Sequence, residues 1–376
     1  MKAKNLLIIL VLFLIFGCKG KFDETSLNGT PSSKTFQLDN IDNISFTNDN
    51  GLFISGSSDR KYTLIKTDKN LNIEWTKNNY DWGNLVFGSG WGSSFYSINI
   101  VKAFQRNDGS YVCIGSIAEG GDVVWSSTLV FVLNQRGEQI HSYKFENMPT
   151  SNVLRTDDEG YVLFGHGVTL KLDKNFNRQW TKNFGDNKYS PIQIVSTSNG
   201  GFAITGTYNA SQQVFLKTYD SNGNELLGKI YKHNEYPSLE GGNDLLQLKD
   251  GGYLIVGRAG RTLPQITDCQ VMRTNEIGDT IWTRRFVYPT FSWFDQIIFS
   301  ESNNFIIEGT IGFPNENQES ILMKINENGL VLDSLTLNKF QMIIHSPLDI
   351  YIIVTKIDAA HTNLSTIDSN DLFKKT

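Results

Sequence analysis

Cysteine is scarce: three in 376 residues exclude a disulfide-stapled scaffold. Cys113 and Cys269 stand inside apolar, strand-like runs, Tyr-Val-Cys-Ile-Gly and Asp-Cys-Gln-Val-Met, far apart along the chain, and read as small buried hydrophobes. The five histidines, His141, His166, His233, His345 and His361, have no paired spacing and no neighbouring cysteine, so no zinc site is indicated. Positive charge is thin as well. Lys and Arg number 34 against 39 acidic residues, the net charge is -5, and no long basic run occurs. A phosphate backbone needs a concentrated basic surface, which excludes nucleic acid as a partner. Sustained helical periodicity is missing after the first eighteen residues. What remains is 39% hydrophobic and only 19% charged, enough apolar material for a large core and the wrong composition for disorder.

The first residues differ from the rest. Lys2 and Lys4 precede an apolar stretch from Leu6 to Phe16, followed by Gly17 and Cys18. Eleven apolar residues are too few to span about 30 Å of hydrocarbon as a helix, but they suit the centre of a signal peptide. Leu14-Ile15-Phe16-Gly17-Cys18 resembles the box of bacterial lipoproteins. The resemblance implies a signal peptide over 1–17, cleavage before Cys18, and acylation of the Cys18 sulfur and the new amino terminus. Gly17 and Ile15 match the small and branched positions, whereas Phe16 stands where a small residue is usual. Several acyl chains anchor stably where one is marginal. The other reading is an ordinary signal peptide with a cysteine near the cut. Lys19, not Asp, follows, so the inner-membrane retention signal of enteric lipoproteins is absent. The run Lys19-Gly-Lys-Phe-Asp-Glu24 is similar to the tether that sends some Bacteroidetes lipoproteins to the cell surface. Residues 18–33 therefore read as a lipidated cysteine and a tether rich in Gly, Ser, Thr and Asn. The expected location is the bacterial outer membrane, on its periplasmic or its surface side.

Over 34–376 one phrase recurs: a polar turn, four or five apolar residues, then Gly. It appears as Asn50-Gly-Leu-Phe-Ile-Ser-Gly56, Gly109-Ser-Tyr-Val-Cys-Ile-Gly115, Gly160-Tyr-Val-Leu-Phe-Gly165, Gly201-Phe-Ala-Ile-Thr-Gly206, Gly252-Tyr-Leu-Ile-Val-Gly257 and Asn304-Phe-Ile-Ile-Glu-Gly309. A degraded seventh copy is Ile350-Tyr-Ile-Ile-Val-Thr355, and the steps between closing residues are 59, 50, 41, 51, 52 and 46. Each copy carries a second turn downstream, beginning at Asp68, Asn134, Asp173, Asp220, Asn275, Asn326 and Asp368, and three of these precede Trp75, Trp180 and Trp282 by seven residues. Each unit thus reads as four short strands joined by tight turns whose Asn and Gly supply positive φ. Seven such units predict an all-β, seven-bladed β-propeller of four-stranded antiparallel blades. Blades closed into a ring bury each other's faces and remove exposed edges, and runs such as Tyr-Val-Leu-Phe, apolar on both faces, fit sheets packed between sheets. The recurrent Trp is expected to wedge between blades from the outer strand. An open β-solenoid is the rival architecture. Either Ser33–Leu38 or Leu372–Thr376 could close the ring.

The repeat resembles the bacterial propellers grouped as quinoprotein-like and "delta-60" repeats, which share an Asp-x-x-Gly turn followed by Trp. The resemblance covers about residues 35–376 and implies architecture only.

The sequence carries no convergent chemistry. Asp68-x-Asn70-x-Asn72, Asp173-x-Asn175-x-Asn177 and Asp220-x-Asn222-x-Asn224 look like the opening of a calcium loop, but the twelfth position, which needs a bidentate carboxylate, holds Asn79, Phe184 and Tyr231. These are turns. The Ser and Thr frame of the sialidase hairpin is missing, and Arg106, Arg155, Arg258, Arg261, Arg273, Arg284 and Arg285 assemble into no evident triad. A quinone-dependent dehydrogenase would need a central Trp, and the periodic ones fall on outer strands. Glu119, Asp122, Glu240 and Asp244 are candidate paired carboxylates for a glycosidase. No cofactor or metal is expected.

The most informative irregularity is the long first step. Residues 78–97 are rich in Gly and aromatics and contain Trp82, Trp91 and Tyr96. In a propeller this link shares a face with the loops joining second and third strands, a face that would also gather Trp125, Tyr189, Tyr236, Tyr288 and Trp293. Aromatic rings among Asp, Asn and Gly suit sugars or extended peptides, so Trp82, Trp91, Tyr96, Trp125, Tyr236 and Trp293 are the candidate ligand-binding residues. The opposing reading folds these rings inward as a plug over the channel. The expectation is a membrane-anchored, noncatalytic propeller that binds a glycan or an envelope protein. The alternatives are a carbohydrate-active enzyme and a scaffold similar to the propeller lipoprotein of the outer-membrane barrel assembly machine.

Overall fold

The computed structural model describes residues 33–376 apart from 59–60, 79–96, 120–124, 166, 184–187, 209–211, 232–240, 261–265, 301–302, 314–317, 339, 346–349, 357–360, 369–371 and 373–376. β1 (Ser33–Phe36) precedes blade one, which comprises β2 (Asn40–Phe46), β3 (Leu52–Ser58), β4 (Lys61–Thr67) and β5 (Ile73–Asn78). Blade two holds β6 (Ser97–Gln105), β7 (Tyr111–Glu119), β8 (Trp125–Leu133) and β9 (Gln139–Phe145). Blade three holds β10 (Asn152–Arg155), β11 (Tyr161–Gly165), β12 (Val168–Leu172) and β13 (Arg178–Asn183). Blade four holds β14 (Tyr189–Ser196), β15 (Phe202–Tyr208), β16 (Gln213–Tyr219) and β17 (Glu225–Tyr231). Blade five holds β18 (Gly241–Gln247), β19 (Tyr253–Gly260), β20 (Thr267–Thr274) and β21 (Thr280–Phe286). Blade six holds β22 (Ser292–Phe299), β23 (Asn304–Ile311), β24 (Glu319–Asn326) and β25 (Val331–Asn338). Blade seven holds β26 (Phe340–His345), β27 (Ile350–Lys356) and β28 (Thr362–Asp368), and takes β1 as its fourth strand. Seven four-stranded antiparallel sheets make a β-propeller. Of the two candidate closures, the amino-terminal one holds; Leu372 instead packs in the seam between blades six and seven.

The core is divided among the seams. Each of seven apolar clusters joins one blade to the next, from Phe53, Tyr111 and Phe131 between blades one and two to Phe36, Ile54 and Val354 between blades seven and one. Both faces of a blade are used: β11 is buried at all five residues. The tryptophans lock the outer seams. Trp75 Nε1 donates to the Gln135 carbonyl at 3.0 Å and Trp180 Nε1 to the Ser221 carbonyl at 3.3 Å, each reaching the tight turn of the following blade. There the rings lie against Gly137 and Gly223, and Trp282 lies against Gly329, so only a glycine leaves room, and each of these turns also needs positive φ. In the intervening seams the same latch is made by Tyr143 on Phe176 and by the Tyr231 hydroxyl, which donates to the Gly278 carbonyl at 2.9 Å.

Buried cations brace alternate blades. Lys66 and Lys171, almost without exposure on their third strands, reach Asp49 at 2.8 Å and Asp158 at 2.7 Å in the turn between first and second strands; Arg273 reaches Asp250 likewise. Asp68 Oδ1 accepts from the Asn70 and Asn72 amides, both at 2.8 Å, and Asp173 and Asp220 repeat this bond pattern, so these carboxylates serve their own turns.

Candidate functional site

The site is built by the inner strands. In β2, β6, β14, β18, β22 and β26 the register slips by one residue opposite the closing end of the second strand. The recurrent glycine makes room for that bulge. A Cβ at Gly206 would run into the Ser190 carbonyl oxygen, and one at Gly257 into the Gly241 carbonyl oxygen. Past the bulges of β2, β14 and β18, and on β10, which has none, a polar side chain is turned toward the next blade. Asn43 Oδ1 accepts from the Ala103 amide (3.1 Å), Asn152 Nδ2 donates to Gln193 Oε1 (2.6 Å), and Gln193 Nε2 donates to Asp244 Oδ1 (2.9 Å). Asp244 Oδ2 then accepts from the Ile297 amide (2.9 Å). These bonds form a belt linking blades one to two and three through six around the channel.

Charge gathers on this belt and above it. Asp244 is buried, which pushes its carboxyl up to about 6 even though the Ile297 amide, Gln193, the Leu245 amide and the Lys102 ammonium pull the other way. Burial lowers Lys102, with Asp244 opposing. One step nearer the loop-rich face, Asp295 takes hydrogen bonds from Trp293 Nε1 at 2.8 Å and Thr310 Oγ1 at 3.0 Å, and burial still raises it, with Arg258 opposing. Glu308 on β23 is 7% exposed, and no hydrogen bond reaches its carboxyl among the described residues. Burial first, then repulsion from Asp295 and Asp244, holds it well above the usual carboxylate range. On blades five and six the channel wall therefore carries three carboxyls with raised proton affinity and an exposed guanidinium, with the half-buried Lys102 ammonium on blade two.

Of the expected ligand-binding residues, Trp82, Trp91, Tyr96 and Tyr236 lie outside the described residues, as does Cys18. Trp125 opens β8, but its side chain is also outside them. Trp293 is half-buried at the loop-rich end of the channel and bound to Asp295. Two other aromatics of that face turn inward: Tyr189 packs against Phe215 and Tyr288 against the seam of blades five and six. Among the suggested carboxylates, Asp244 joins the channel, the side chain of Glu119 is outside the described residues, and so are Asp122 and Glu240. Asp295 and Glu308 were missed. Their one signal was a glutamate at 308, where the other copies carry Ser55, Ile114, Phe164, Thr205, Val256 and Val354. A cleft of about 140 Å³ beside Trp180 and Phe202, on the outer flank of blades three and four, is too small for a ligand of ordinary size.

No known family's sequence profile matches the chain, and no curated protein shows significant similarity to it. Solved structures share the fold. A protein from Lactobacillus plantarum aligns with TM-score 0.51 at 9% identity over 80% of this chain and 86% of that one. Drosophila Plexin A in complex with Semaphorin 1b aligns with TM-score 0.50 at 8% identity, over 90% and 86%. BBS1N in complex with ARL6DN aligns with TM-score 0.50 at 11% identity, over 92% and 94%. These similarities define the class, a β-propeller, and nothing narrower.

Proposed function

We propose that the chain is an envelope-anchored, noncatalytic propeller that binds a glycan or protein partner at its loop-rich face. The asymmetry of its two rims carries the reading. Turns between first and second strands, and between third and fourth, are short and closed by their own backbone bonds, as in Thr197–Gly201 and Asp220–Asn224. The opposite rim receives the long connections, including eighteen residues between β5 and β6. Long loops on a rigid scaffold are where binding residues concentrate. Two propellers of similar fold, Plexin A and BBS1N, are seen in complex with protein partners, which agrees with this use of the scaffold. The lipoprotein box at Cys18 supports the anchor.

The test is binding of the full-length chain to an array of glycans and to envelope proteins by cross-linking, with Trp82→Ala and Trp91→Ala alongside. At least a tenfold loss of affinity at unchanged melting temperature is expected. Variants that melt several degrees lower while keeping full affinity would show a plug instead.

A second reading has its own observation. Asp295 and Glu308, with Arg258 near Asp295, put two carboxyls and a cation at the loop-rich end of the channel. A carbohydrate-active enzyme would use one as acid and one as base. Hydrolysis of aryl glycosides that disappears in Asp295→Asn and Glu308→Gln would favour it.

A further inference from the structure

The tight-turn rim repeats one structural position six times, and the copies differ. Each outer strand bulges just after its turn, and the extra residues are Glu74, Ile140, Gln179, Leu226, Ile281 and Leu332. The bulged side chain is aliphatic on blade two, where Ile140 is 49% exposed, and on the consecutive blades four, five and six, where it is 57%, 57% and 50% exposed. The turns of the same sector depart from the pattern twice more. The tip position, which holds Asn70, Arg136, Asn175, Asn222 and Asn328 elsewhere, is Ile277 on blade five, 57% exposed. The closing position, which holds Asn72, Glu138, Asn177, Asn224 and Asp279 elsewhere, is Leu330 on blade six, 59% exposed. A bulge by itself blunts edge pairing, so the fold does not require apolar residues at these places. Single exposed aliphatics need no explanation; five on three consecutive blades do.

The chain's connectivity says what lies beside them. β1 runs antiparallel to β28, with Ser33 opposite Ser365 and Phe36 opposite Thr362. β28 ends on the tight-turn side, so the chain comes into blade seven from that side, one blade on from Leu330 and Leu332. Fourteen residues separate Cys18 from Ser33. At no more than about 3.5 Å each they reach at most about 50 Å. A bilayer holding an acylated Cys18 must lie within that reach, and the aliphatic sector adjoins the point from which the reach is measured.

We propose that the aliphatic sector of the tight-turn rim on blades four to six rests on the lipid surface that holds the acyl anchor, leaving the loop-rich face turned outward to its partner. This inference rests on the lipoprotein reading of Cys18. Apolar side chains set among polar ones at a rim suit the boundary between headgroups and acyl chains.

The test uses the full-length chain in vesicles of phosphatidylethanolamine and phosphatidylglycerol. Ile281→Cys and Leu332→Cys carry an environment-sensitive fluorophore, with Gln179→Cys as the matched bulge on blade three; Cys113 and Cys269 are buried and do not compete for the label. At 281 and 332 a blue-shifted emission is expected, with quenching by a lipid-borne nitroxide at least threefold stronger than at 179 and weak quenching by aqueous iodide. Equal quenching at all three sites overturns the proposal. So does shielding from both quenchers, which would mean that a second copy covers the rim. The mass of the amino-terminal peptide separates the two claims: an acylated Cys18 without lipid quenching sinks the docking alone, and an unacylated Cys18 sinks both.

Discussion

Glu308 is the residue least suited to its surroundings. Its carboxyl is buried, faces Asp295 and Asp244, and receives no hydrogen bond among the described residues. An acid whose folded pKa lies above its unfolded value holds its proton more tightly when folded, so its contribution to stability is present below the unfolded pKa and is lost as pH rises through the folded one. Asp244 acts in the same direction, with its loss spread between its ordinary value of 3.8 and about 6. Thermal stability is therefore expected to fall as pH rises across this window. Glu308→Gln should flatten the fall and raise the melting temperature above pH 7; a lower melting temperature at pH 8 would contradict this account of the channel. Asp244→Asn should differ. Asp244 accepts from two backbone amides and Gln193, so an inserted amide NH₂ must oppose one of these donors, at a cost of about 2 kcal/mol near pH 8.

At the scale of the element, what could be read from the sequence is what the backbone forces. The closing glycines were visible because an inner-strand bulge admits no Cβ opposite it, and most of the tight turns because positive φ favours Gly or Asn, although Leu71, Glu159 and Phe176 take it in three of them. The tryptophans were legible as outer-strand wedges from their spacing alone. The buried cations were not. A lysine in a short strand ordinarily points to solvent, and the partner that buries Lys171 is Asp158, thirteen residues back across a hairpin. Glu308 was hidden for a related reason: the carboxyls that perturb it come from first strands, one of them a blade away. The cation brace predicts an asymmetry. Asp158 is half-exposed and Lys171 nearly buried, so Asp158→Ala strands a desolvated ammonium and should cost about 3 kcal/mol, whereas Lys171→Met leaves a carboxylate that water can reach and should cost under about 1.5 kcal/mol. Urea titrations of both variants decide it, and equal losses would mean that the pair does not brace the blade.

At the scale of the whole molecule, the ring depends on one non-covalent closure between segments more than 300 residues apart. The sequence offered both termini as candidates because each carries a short strand-like run. What decides is that Phe36 and Leu38 fill the seam between blades seven and one, whereas Leu372 packs between blades six and seven. The closure can be made covalent. Ser33 and Ser365 are opposed Cα partners, and their hydroxyl oxygens lie 3.4 Å apart. Opposed residues of an antiparallel pair have Cα atoms about 4.5–5.5 Å apart, within the range a disulfide spans. Ser33→Cys with Ser365→Cys should therefore oxidise readily and clamp the ring. Because the bond closes nearly the whole chain, it removes much of the unfolded state's freedom, and a gain of about 2–4 kcal/mol over the reduced form is expected. Calorimetry with and without reductant measures it, and a mass shift of the alkylated protein reports whether the bond formed. A pair that stays reduced under oxidising conditions, or an oxidised form that melts below the reduced one, would mean that β1 does not hold blade seven closed.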